Sequence, residues 1–129
     1  MSLTIDGLDG VRRNVRRMAR REPEIAAKCL NEFAELTMTE AVKITPIDTG
    51  RLRQSARVTH ATARSLRATL SYDTPYAVAV HEDSSARHQP PYGRGGQWKY
   101  LETPVNARSR RFAAEIAQCM ARELKAMSR

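Results

Sequence analysis

Apolar residues recur at helical spacing in three stretches of this chain and alternate with polar ones in others, and that pattern predicts its elements. Leu3-Thr4-Ile5 alternates like a short strand. Leu8, Val11, Val15 and Met18 then share one face of a first helix running to about Arg20, with Asp9 placed to cap it. Glu22-Pro23-Glu24 opens a second helix, because proline suits a first turn and carboxylates suit the positive end of the helix dipole. Ile25, Cys29, Phe33 and Leu36 form its apolar row, widened by Ala26, Leu30, Ala41 and Ile44. The run lasts about 20 residues, roughly 30 Å.

Thr45-Pro46 stops it, since proline cannot continue the helix and pushes the residue before it out of the α region. Asp48 or Thr49 can accept a bond from a free amide at the next helix start, and Gly50 eases the backbone round before Arg51-Leu52-Arg53. Pro46, Asp48, Thr49, Gly50 and Leu52 therefore read as a specified corner of the fold. Asp-Thr-Gly is also the loop that carries the catalytic carboxylate of aspartic proteases, where two carboxylates share a proton. Here it follows a broken helix and precedes Arg51, a cation that would keep Asp48 ionised, so the capping reading prevails.

Ala56 to Thr62 and Leu66 to Tyr72 both alternate and are joined by Ala63-Arg64-Ser65, which predicts an antiparallel pair. After the turn at Asp73-Thr74-Pro75, the segment from Tyr76 to Glu82 reads as a short helix or irregular turn that delivers His81 and Glu82 to the surface. Asp83 to Gln97 loses all periodicity and reads as a long loop. Trp98-Lys99-Tyr100-Leu101 re-enters as a short strand capped by Glu102-Thr103-Pro104. Val105 to Met127 forms a final helix with Phe112, Ile116, Cys119, Met120 and Leu124 along one side. The expected fold is α+β: long N-terminal and C-terminal helices packed on a small antiparallel sheet with a long loop, one domain over residues 1–129.

Composition narrows the function. With 129 residues, 41% hydrophobic and only 5% aromatic, the chain can build a modest aliphatic core of the kind that neighbouring subunits help to stabilise. No run approaches the roughly 18 apolar residues of a membrane span, and the N-terminus has no apolar signal-peptide core, so no membrane partner and a cytosol-like compartment are expected. Cys29 and Cys119 sit inside apolar helical stripes without Cys-x-x-Cys spacing and read as buried thiols.

The net charge of +8 and the isoelectric point near 10.2 imply attraction to polyanions or to acidic protein surfaces. Arg12, Arg13, Arg16, Arg17, Arg20 and Arg21 concentrate the excess in the first helix. A phosphate backbone would give salt-sensitive, non-specific binding. A solvated face is the plain alternative, and contact with acidic neighbours is the intermediate reading favoured here, because the arginines spread into a broad surface.

Candidate chemistry is thin elsewhere. Gly93-Arg94-Gly95-Gly96 lacks the Gly-Lys-Ser/Thr ending of a phosphate loop. His60, His81 and His88 with Glu82 and Asp83 are metal-ligand types, but no helical His-x-x-x-His pair occurs. No nucleophile, base and acid constellation can be identified, so no enzyme activity, metal or other cofactor is expected.

The corner from Pro46 to Ser55, the segment Tyr76-Ala77-Val78-Ala79-Val80-His81-Glu82 and the segment Gln97-Trp98-Lys99-Tyr100-Leu101-Glu102-Thr103-Pro104 occur in this order behind a Gly7-Leu8-led first helix. In this the chain resembles, over nearly its whole length, a family of small tailed-bacteriophage proteins. These are neck, tail-completion or tail-component proteins, often labelled minor capsid proteins.

The resemblance implies a non-enzymatic structural protein of a phage or prophage virion, a ring-forming homo-oligomer at the head-tail junction that meets other connector or tail proteins. Its place would be the virion, and the bacterial host cytoplasm during assembly. The loop and basic helix depart from the family pattern, and Arg12, Arg13, Arg16, Arg17, Arg87, His88, Tyr92, Arg94, Trp98 and Lys99 are the expected contact residues. The alternative is a basic module that binds nucleic acid non-specifically, with DNA touched through the same arginines.

Overall fold

Residues 1–6, 13–46, 50–82 and 99–127 are described by a computed structural model of the chain. Its elements run β1 (Ser2–Asp6), α1 (Arg13–Arg21), α2 (Pro23–Ile44), α3 (Arg51–Gln54), β2 (Ala56–Thr59), β3 (Arg67–Tyr72), α4 (Ala77–Glu82), α5 (Glu102–Ser109) and α6 (Phe112–Met127). This is the α+β arrangement expected.

The long helix α2 is the axis of the molecule. Ile25, Ala26, Ala27, Cys29, Leu30, Phe33, Ala34, Met38 and Ala41 are all buried, which at 100° per residue covers more than half of its circumference. A helix buried so widely must be packed on several sides at once, and α2 meets α1, α5, α6, β2 and β3. Its four small alanines, Ala26, Ala27, Ala34 and Ala41, let those neighbours approach closely. Leu36, expected in the same row, is 48% exposed.

The sheet has three antiparallel strands in the order β1-β3-β2. Ala68, Leu70 and Tyr72 of β3 point inward at period two and are buried. Leu70 pairs with Leu3 on one side and Val58 on the other, so the apolar faces of all three strands coincide. The β2–β3 hairpin closes through a bridge between Thr62 and Ser65. Asn31 of α2 clamps its near end: Nδ2 donates to Ala61 O at 2.9 Å and Oδ1 accepts from Ala61 N–H at 2.6 Å.

Three expectations are corrected. Trp98 to Leu101 does not form a strand over its described part: Lys99 has φ of 55°, and Tyr100 and Leu101, adjacent in sequence, are both fully buried, which a one-faced strand cannot achieve. Val105 to Met127 is not one helix. The chain breaks at Arg110-Arg111, and α5 begins earlier, at Glu102.

Arg108 spans the break: its buried guanidinium reaches Glu40 of α2 at 3.2 Å and Glu115 of α6 at 2.6 Å. It also lies over the Phe33 ring, 4.9 Å from the centroid. A kink just after Arg108 lets both helices lay their apolar faces on α2.

The third correction concerns the cysteines. Cys29 and Cys119 are joined in a disulfide, Cα atoms 5.7 Å apart, and neither is a free thiol. The apolar stripes that bury them belong to α2 and α6, which pack together and bring the two sulfurs face to face. Phe33 and Phe112 meet edge-on in the same seam at 5.1 Å.

Candidate functional site

The second and third segments singled out in the sequence meet at a buried aromatic knot, and the first adjoins it. At the corner, Pro46 and Leu52 are buried and α2 ends at Ile44. Thr45 donates its hydroxyl proton to Ala41 O at 2.7 Å, so Tyr72 donates to Thr45 Oγ1 at 2.6 Å. Arg53 of α3 turns back to the open end of α2, its Nε donating to Thr45 O at 2.7 Å and its Nη2 to Lys43 O at 3.2 Å. A cation at the negative end of a helix dipole, bonded to carbonyls that lack partners, is a favourable cap. Gly50 precedes α3 with φ of 83°. The capping role expected of Asp48 and Thr49 lies outside the described residues.

Tyr72 stacks edge-on against Tyr100 at 4.9 Å, and Tyr100 against His81 at 5.0 Å. Tyr100 donates to Ala77 O at 2.6 Å, tying the turn before α5 to α4. Burial pushes the Tyr100 phenol well above its ordinary value and raises Tyr72 as well.

His81 was expected at the surface and is 5% exposed. The reason is helical spacing: α4 buries Ala77 and His81 together, four residues apart, and turns Val78 outward.

Both nitrogens of His81 are used. Glu102 N–H donates to Nε2 at 3.2 Å, which places the ring proton on Nδ1, 2.9 Å from Glu82 Oε1. Ligand atoms of His81, Glu82 and Glu102 lie within 4.8 Å of one another, as a divalent cation would need. The cation held there is Lys99. Its ammonium bonds Glu82 and sits 3.1 Å from Glu102. The bond to Lys99, and secondarily that to His81, holds the Glu82 carboxyl below its usual range, and Glu82 raises Lys99. With the Nε2 lone pair taken by an amide and the carboxylates taken by lysine, the cluster is an internal latch between α4 and α5. Glu102, absent from the metal-type residues noted in the sequence, could have been found only from the fold.

The expected contact residues divide. Arg13, Arg16 and Arg17 are exposed on α1, Lys99 is half-buried in the latch, and Arg12, Arg87, His88, Tyr92, Arg94 and Trp98 lie outside the described residues. His60 pairs with Glu35 of α2 at 2.7 Å, remote in sequence from the other histidines. A cleft of about 30 Å³ lies over the disulfide, lined by Glu32, Phe33, Leu36 and Glu115; that is room for a water or two, far below a substrate pocket.

Two exposed apolar side chains lie at the start of α4: Tyr76, just before it, is 40% exposed, and Val78 53%. No helix is long and apolar enough to cross a membrane. No protein family, curated protein or solved structure matches the chain.

Proposed function

We propose that this protein is a structural component of a phage or prophage virion, a neck or tail-completion subunit that closes into a ring at the head-tail junction. What supports the reading is the role of the segments that carry the resemblance. The corner anchors the end of α2 beside Tyr72, while the segment from Tyr76 to Glu82 and the return through Lys99 to Pro104 lock together through Tyr100, His81 and Lys99. They work as fold-defining segments and leave the outer surfaces to contacts.

In a ring, one surface of each copy meets a different surface of the next. The exposed Tyr76 and Val78 give one such surface apolar contacts. Sedimentation velocity over a concentration series tests the proposal: closed oligomers are expected to grow in with concentration. A monodisperse monomer that never joins purified heads or tails would sink it.

A further inference from the structure

The arginines of α1 are placed to do more than solvate a helix. At 100° per residue, Arg13, Arg16, Arg17, Arg20 and Arg21 fall within an arc of roughly 140°, opposite the buried Val15 and Ala19. All five are exposed, α1 contains no acidic residue, and among the described residues none of the five has a carboxylate partner. The broad surface expected from the sequence is, for these five, a single face. Five guanidinium groups on one face repel one another, and an anion of matching charge density laid on that face relieves the repulsion.

We infer that this face is a binding surface for the phosphate backbone of double-stranded nucleic acid, read without sequence preference. The helix is about 13 Å long, a span over which a duplex presents about eight phosphate charges. Guanidinium groups bind phosphate oxygens in bidentate fashion. Stacking on single strands needs aromatic platforms, and α1 has none. Insertion into a lipid surface needs an outward apolar stripe, whereas Val15 and Ala19 are buried in the protein and Met18 is half-buried. Asn14, the one amide side chain of α1, has its Oδ1 engaged by Val15 N–H at 3.0 Å, which leaves that oxygen out of any adenine contact.

The inference does not depend on the ring, because one copy presents the whole face. The test is a titration of the full chain against two short DNA duplexes of unrelated sequence across a salt series. Both are expected to bind alike, with a log–log salt slope of about −4 to −5, on the order of several-hundred-fold between about 50 and 200 mM salt. Each single substitution, such as Arg16→Gln or Arg17→Gln, is expected to lower the slope by about 1. Replacing all five with glutamine should abolish binding, with an unchanged circular dichroism spectrum as the folding check.

The exposed pair Arg110→Gln and Arg111→Gln removes charge elsewhere and should leave the slope intact. A comparable loss from that pair would reduce the effect to net charge and overturn the inference. So would equal binding of polyglutamate or of anionic lipid vesicles at matched charge. Sedimentation of the same variants reads assembly separately, so failure of one reading is distinguishable from failure of the other.

Discussion

Gly50 shows how one residue commits the chain at the corner. Its φ of 83° is open to glycine and strained for any side chain, although a Cβ there would meet only Gln54 at an ordinary 3.8 Å. The cost of substitution is therefore backbone strain and not collision. Gly50→Val is expected to destabilise the fold by about 1–3 kcal/mol, with Gly50→Asn milder because asparagine tolerates the left-handed region. A thermal melt checks this, and unchanged melting of the valine variant would show that the corner is less constrained than its geometry implies.

Tyr72, Tyr100 and Lys99 define a pH limit. In each case the fold favours the protonated form, so their contribution is complete below the ordinary values, 10.0 for tyrosine and 10.5 for lysine, and declines as pH rises beyond them. Stability measured by denaturant titration should fall above about pH 10, with Tyr100 ionising as the protein unfolds. Tyrosinate absorbance that rises fully before unfolding would contradict this. None of the three roles could be seen in the chain alone, because a buried phenol and an exposed one have the same sequence neighbourhood.

At the scale of elements, local signals carried far and then stopped. Pro23 and Pro46 delimit α2 as expected, since a proline acts on its own backbone and its neighbour's. The hairpin followed from alternation joined by a short turn. Helix α6 followed from its apolar row, but the break that separates it from α5 did not; Arg108, just before that break, is held by Glu40, 68 residues away. The disulfide is of the same kind: it links residues 90 apart and holds α6 to α2. Tying so long a loop restricts the unfolded chain, and its reduction is expected to lower stability by about 2–4 kcal/mol. Melting with and without reductant, and Cys29→Ala with Cys119→Ala, measure it. The exposed pairs Lys28–Glu123 and Arg122–Glu32 on the same seam add little by comparison.

At the scale of the whole molecule, the fold presents a basic face on α1 and exposed apolar side chains, Tyr76 and Val78, at the start of α4. If Tyr76 and Val78 form a subunit contact, Val78→Glu should weaken self-association at least tenfold in sedimentation, since an unpaired charge would be desolvated, and leave melting nearly unchanged because the site is solvent-facing. Equal self-association of the variant would move the contact elsewhere.

The sequence by itself determined where α2 starts and stops, which face of the hairpin strands is apolar, and that the first helix is a dense source of positive charge. These are matters of period, proline and composition, all read over a few neighbouring residues. Only the tertiary structure decided that β1 pairs with β3, that His81 turns inward to Tyr100, that Lys99 fills the cluster of His81, Glu82 and Glu102, and that the two cysteines bond. Each of those depends on a partner brought from elsewhere in the chain, and contact at a distance leaves no mark on local periodicity.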